Sequence, residues 1–368
     1  MPEPSAVRDR GATTLPQLEA ARVAAMAAIF LFHLWSVVPE GVGSGWASVA
    51  LSQGYLGVVV FNVIAGLVLA WPHLGPERRP LPTWPGFLRR RFLRIVPAYY
   101  LALALSVAVA AGVARRAPSP ASVVSHVLFL HTLSPAEFFT IVPAYWWLGL
   151  LAQFYCTFLL VLRFHRAVGP WRGVALVCAA SWGGWLLLDA VARPRPGSTS
   201  ALINYLAYYN LPYRLPEFAI GIGLASSIRS EADGRPPGLP PAAVATLVGL
   251  SALVFAFGGA FPELAPVAHV RLVAACIAPF VGFLALPTFR RAGSTAFIAR
   301  LAAASYSFYL LHQPILGYGV EALGATLGPR LTFWVLLVGV GVLAFELSRL
   351  LDRAASWIVA WLDRPRGT

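Results

Sequence analysis

From Leu15 to Trp35 the chain reads LPQLEAARVAAMAAIFLFHLW, an apolar run broken by three ionisable residues, Glu19, Arg22 and His33. About 20 such residues cross a bilayer as a helix. Arg22 and His33 are eleven positions apart. At roughly 100° per residue that is three turns and about 20°, so both side chains leave one face, about 16 Å apart along the axis. Glu19 stands one turn before Arg22, within reach of an ion pair. A charge inside a membrane helix costs about 2.5–3.5 kcal/mol, which makes such residues a functional hypothesis. The plainer reading is that Glu19 and Arg22 mark the inner end of the helix and reach out to lipid headgroups.

Similar apolar runs recur along the chain. With the first, 15–38, they give ten predicted spans: 53–71, 95–113, 145–162, 173–191, 211–228, 242–261, 270–289, 301–320 and 331–351. Residues 123–133 are apolar but too short to cross, and read as a re-entrant or interfacial helix. Asn204 to Tyr213 is aromatic and reads as interfacial, the zone that tyrosine favours. The predicted organisation is a tail at 1–14, a transmembrane domain at 15–351 and a tail at 352–368. No internal repeat, low-complexity run or soluble domain is visible.

Composition agrees with the pattern. Hydrophobic residues make up 58% and charged residues 12%, against about 25% charge in a soluble domain. The expected class is an all-α, polytopic integral membrane protein. The net charge of +13 sits in short loops between spans, so it does not argue for nucleic acid. With both termini in the cytoplasm, 20 of the 28 arginines fall on inner segments and at most six on outer loops, the positive-inside bias. There is no lysine, hence no Walker A lysine, and no inner loop is long enough for a nucleotide-binding fold. Abundant Ala, Gly, Pro and Arg without Lys suggests a GC-rich bacterial genome, and so a bacterial cytoplasmic membrane. Cys156, Cys178 and Cys276 lie in apolar spans without metal spacing and read as packing residues. The first span lacks a cleavage site and is expected to be retained.

Four clusters can carry chemistry. Arg22, held by Glu19, lies toward the inner side and His33 toward the outer half. A neutral imidazole accepts a hydroxyl proton at neutral pH. Arg90, Arg91 and Arg94 open the span at 95–113, and guanidinium forks suit phosphate; topology alone also accounts for them. Ser305, Tyr309 and His312, in SYSFYLLHQP, share one side of a span. A mid-span histidine needs a partner or an aqueous cavity. Arg214 and Glu217, in YRLPEF, are three apart and read as an ion pair near the outer surface. No metal-ligand cluster is predicted.

Together these blocks resemble the acyltransferase 3 family of bacterial membrane acyltransferases. LEAARVAAMAAIFLFHL places Glu19, Arg22 and His33 on the family's first block. RRFLRIVPAYYL places Arg91, Arg94 and Pro97. YWWLGLLAQFY places Trp146, Gln153 and Tyr155. SYSFYLLHQP places Ser305, Tyr306, Tyr309 and His312. The blocks occur in family order over about 15–351. Three positions depart: Val59, Ala65 and Leu151 stand where many members have Asp, Ser and Glu.

The resemblance implies transfer of an acyl group, usually acetyl, from acyl-coenzyme A as co-substrate to a hydroxyl of a surface sugar or secondary metabolite, with no permanently bound cofactor. His33 is then the expected general base or a transient acyl carrier, with Arg22 and Glu19 as its catalytic partners. Arg90, Arg91 and Arg94 are expected at the coenzyme phosphates. Ser305, Tyr309, His312, Trp146, Tyr155, Arg214 and Glu217 are expected around the substrate. Arg94 and His312 should border the face running from Arg22 to His33. The rival class is a proton-coupled small-molecule transporter, and a weaker third is an assembly partner of a glycan exporter.

Overall fold

The computed structural model describes residues 16–74, 78–192, 205–206, 208–232 and 295–364. These residues form nine α-helices: α1 Pro16–Val37, α2 Trp46–Ser52, α3 Gly57–Ala70, α4 Trp84–Gly112, α5 Pro120–Val127, α6 Trp146–Val168, α7 Pro170–Ala192, α8 Leu211–Ala232 and α9 Ala296–Leu362. No strand occurs among the described residues.

Six segments are long and apolar enough to cross a membrane: 17–37, 46–73, 84–112, 143–168, 170–188 and 296–362. Of the ten expected spans, 242–261 and 270–289 lie outside the described residues. The spans 301–320 and 331–351 are the two arms of α9, which is broken at Gly328. That residue takes φ +69°, ψ 161°, and precedes Pro329; glycine adopts such an angle freely and proline restricts its predecessor. The arms fold back on each other. Ser307 donates to Asp352 across the hairpin, and Leu316, Phe333, Leu336 and Val340 close a shared core with Phe30 and Leu34 of α1. The remaining predicted span, α8, is not among the six. It carries Arg214 and Glu217 in its first two turns, both buried.

Two boundaries shift in a way that matters for the site. α4 begins at Trp84, eleven residues ahead of the predicted span, with Pro85 in its first turn, a position where the missing N–H costs nothing. Arg89, Arg90, Arg91 and Arg94 therefore stand on a helix. The second arm of α9 continues to Leu362, through residues read from the sequence as tail. Arg89 of α4 reaches Asp363, just past its end, at 2.8 Å, both exposed. The two extensions run side by side.

α3 and α8 cross with their backbones touching. A Cβ on Gly66 would meet the Phe218 carbonyl at 2.1 Å, and one on Gly221 would meet the Val63 carbonyl at 2.0 Å. Only glycine fits at either position. The short segment after α4 does not span. α5 is capped by Ser119, whose hydroxyl accepts from Ser122 N at 3.0 Å. It ends at Val127, and Phe129 turns the chain at φ +59° into a 3-10 turn at His131–Leu133.

Candidate active site

Two cavities lie between α1, α3, α4, α6 and α9. The wider one, ≈1210 Å³, is bounded by the extensions of α4 and α9 and carries Arg79, Arg89, Arg90, Arg91 and Arg94. The deeper one, ≈390 Å³, is lined by Glu19 and Arg22 of α1, by α3, by Trp147, Leu151 and Tyr155 of α6, and by Ser305 and Tyr309 of α9. Arg91, Arg94, Tyr306 and Asp352 belong to both and form the neck between them. Tyr306 is held at the neck by its hydroxyl, which donates to the Ile95 carbonyl at 3.0 Å.

Glu19 and Arg22 face the same cavity without a direct ion pair. Arg22 lies in the field of Arg94 as well as of Glu19, so two guanidinium groups converge on one volume. Such convergence repels unless an anion or a developing negative charge sits between them.

His33 lies further along α1, against α9. Its Nδ1 is 2.8 Å from Nε2 of His312, and the rings stack with centroids 5.0 Å apart. Nδ1 of His312 faces the carbonyls of Tyr309, at 2.8 Å, and Phe308, at 3.2 Å. Carbonyls only accept, so this Nδ1 carries the hydrogen. A neutral His312 then presents a bare Nε2, and His33 Nδ1 must donate to it. A neutral His33 is left with its lone pair on Nε2. The backbone of α9 thus sets the tautomer of a side chain on α1. His312 is buried among Phe30, Phe308 and Tyr309, whereas His33 is only half-buried.

The turn of α9 that carries His312 is clamped from outside. Pro314 has no N–H to give to the Leu310 carbonyl. The Tyr145 hydroxyl donates to that carbonyl instead, at 3.1 Å. The Ala144 carbonyl accepts from the Tyr309 hydroxyl, and Gln313 Oε1 accepts from Ala144 N at 2.5 Å. Three bonds flanking His312 therefore fix its turn to the start of α6.

Arg214 and Glu217 do not reach either cavity. They pair at 2.9 Å in the interior, with side chains 6% and 0% exposed. Glu217 also accepts from Asn62 Nδ2 at 2.5 Å, and Asn62 Oδ1 accepts from Trp147 Nε1 at 2.8 Å. The chain Arg214–Glu217–Asn62–Trp147 ends on a cavity wall, so the pair positions Trp147 and touches nothing in the cavity. This replaces the surface ion pair expected from the sequence. Trp146 points away from the cavity, its ring 5.6 Å from the Arg214 guanidinium. Tyr155 reaches the deep cavity. Arg90 faces only the wide one. Gln153 is structural: its amide bridges Asn210, at 2.6 Å, and the backbone N–H of Leu211, at 2.9 Å.

Three contributors were not assigned from the sequence. Asp352 lay in the presumed tail. Asn62 was visible only as an isolated polar residue in an apolar helix. Tyr145 carried no signal beyond its place before the paired tryptophans. Among the described residues no group of His, Cys, Asp or Glu is placed to hold a metal ion.

A helical membrane protein with an arginine-lined cavity opening on a deeper one, and a coupled histidine pair on two of the helices that wall it, is the class that this fold and site define. The chain belongs to the acyltransferase 3 family: the family model, described as an acyltransferase domain, matches residues 15–350. It is similar to acyltransferase MdmB of Streptomyces mycarofaciens, at 26% identity over 332 residues, covering 85% of this chain and 82% of that protein. No solved structure matches it. The protein is an acyltransferase of the membrane.

Proposed function

We propose that the protein moves an acyl group from cytoplasmic acyl-coenzyme A to a hydroxyl of a cell-envelope sugar or glycosylated metabolite, in a bacterial cytoplasmic membrane with both termini inside. The observation that carries this reading is the directed histidine pair. It leaves the His33 Nε2 lone pair free; neither histidine lines either cavity, but His312 packs 5.7 Å from the ring of Tyr309, which lines the deeper one.

The donor's phosphates are matched by Arg90, Arg91 and Arg94, with the thioester passing the neck toward Arg22. The acceptor hydroxyl gives its proton to His33 Nε2 as its oxygen bonds to the thioester carbon. The imidazolium that forms is stabilised through Nδ1–H by His312. Arg22, about 16 Å from His33 along α1, orients the donor from the wall of the deeper cavity or stabilises the charge that develops on the thioester oxygen. The carbon–sulfur bond then breaks, and the thiolate leaves and takes up a proton. General base catalysis contributes about 10²–10⁴-fold.

The test is transfer or hydrolysis of radiolabelled acetyl- and butyryl-coenzyme A by the purified protein in nanodiscs, with His33→Ala alongside. Protein-dependent thioester loss that disappears in His33→Ala is expected. Wild-type activity in that variant removes His33 from its role. Uptake of an untransformed solute with no thioester loss favours the transporter instead.

A further inference from the structure

The deep cavity has two chemically different sides. α3 presents Phe61, Ile64, Ala65, Val68 and Leu69 to it, the i, i+3, i+4, i+7, i+8 spacing of one helix stripe. Every member is apolar. Leu151 continues that wall from α6, and Ala299, Ala302 and Ala303 face the cavity from α9 with nothing larger than a methyl group. The charged and hydroxyl-bearing residues of the lining come from α1, α4, α6 and α9, and none from α3.

An acetyl group takes about the volume of two waters, roughly 60 Å³, a small part of the ≈390 Å³ present. The donor's pantetheine arm carries two amides, which need hydrogen-bond partners when buried. The α3 stripe offers no side-chain donor or acceptor, so it suits a hydrocarbon and not that arm. Resting on the donor reading above, we infer that this wall is an acyl-chain pocket, and that the favoured donors carry acyl groups of four or five carbons, straight or branched, in preference to acetyl. Ala65 and the α9 alanines set its depth.

Binding to the purified full chain in nanodiscs tests this without knowledge of the acceptor. The probes are coenzyme A and its acetyl, butyryl and isovaleryl thioesters. Each buried methylene is expected to tighten binding about fourfold, and the butyryl-to-acetyl ratio should collapse to about one in Ala65→Phe. Should that variant elute as aggregate, Ala299→Leu fills the pocket from α9 and carries the same expectation. Equal affinity for all thioesters, or a chain-length ratio that survives both substitutions, overturns the pocket while leaving the coenzyme A site intact. Failure of every probe, free coenzyme A included, removes the donor reading itself and this inference with it.

Discussion

His33 Nδ1 and His312 Nε2 sit 2.8 Å apart although 279 positions separate them in the chain. The contact is directional, because the carbonyls of Phe308 and Tyr309 hold the hydrogen on the far nitrogen of His312. Replacing His312 by Phe keeps a flat ring between Phe30 and Phe308 but removes the acceptor for His33. The His33 tautomer is then free, and its imidazolium loses a neighbour to share charge with. Transfer by His312→Phe is expected to fall about 10²–10³-fold in kcat, within the range for general base catalysis, with donor KM changed less than threefold. Steady-state kinetics with labelled acyl-coenzyme A reads both numbers. A matching rise in KM would place His312 in donor binding.

The arginines of α4 should separate in the same assay. Arg90 borders only the wide cavity, whereas Arg94 borders both and stands near Arg22. Arg90→Gln is expected to raise donor KM about tenfold and leave kcat nearly unchanged, as loss of binding equal in ground and transition states requires. Arg94→Gln is expected to change both parameters. A kcat effect in Arg90→Gln as large as that in Arg94→Gln contradicts the division of the two cavities.

Glu217 offers a test of the buried network. Its carboxylate is shared by Arg214, at 2.9 Å, and Asn62, at 2.5 Å. Glu217→Ala leaves a guanidinium buried without its counter-charge, which costs about 3–5 kcal/mol. Glu217→Gln retains part of the hydrogen bonding and should cost less. Thermal unfolding of the purified protein in detergent ranks the two. If both variants melt with the wild type, the pair is not a stability determinant. The Glu217→Gln protein should also show reduced transfer, since Asn62 then holds Trp147 less firmly at the cavity wall.

Much of the site was legible because charges in apolar spans are rare enough to be noticed one at a time. Arg22 stood out in this way, Arg91 and Arg94 as a basic run opening a span, and Ser305 and Tyr309 as neighbours of the mid-span His312; all five line the deep cavity. Helical arithmetic put Arg22 and His33 on one face. His312 was expected to border that face, and it meets His33 there at 2.8 Å; the direct bond between the rings was not legible, because periodicity says nothing about which helix lies opposite. The role of Arg214 and Glu217 was misjudged for a related reason: their spacing identifies the pair, but only the Gly66–Gly221 crossing brings Asn62 against it. Asp352 was lost in a stretch whose charge density resembled a tail. The departures Ala65 and Leu151 proved to be cavity-wall positions, which the sequence alone could not separate from lipid-facing ones.

The segment outside the spans carries a pH dependence of its own. His126 and His131 stack with ring centroids 4.1 Å apart and planes 7° from parallel, both fully buried. Each donates from one nitrogen, His126 Nδ1 to the Ser122 carbonyl at 2.8 Å and His131 Nε2 to the Tyr145 carbonyl at 3.0 Å. The other nitrogen of each has no partner. Burial, with His126 alongside, pushes His131 down to about 4. Burial lowers His126 as well, although the Ser122 carbonyl and Glu137 act the other way. A folded state that resists protonation is fully stable above the unfolded value near 6.5 and loses stability as pH falls toward the folded value. For His131 the loss at pH 5 is about 2 kcal/mol. Because His131 bonds the carbonyl of Tyr145, whose hydroxyl supports the His312 turn, acid should loosen that turn before it unfolds the bundle. Wild-type protein is expected to melt at a lower temperature at pH 5 than at pH 7, and His131→Phe should show a smaller difference between the two. Titrating carboxylates elsewhere affect both proteins alike, so the contrast isolates the stacked pair. An equal pH 5 to pH 7 shift in the variant would show that the histidine stack is not the acid-sensitive element.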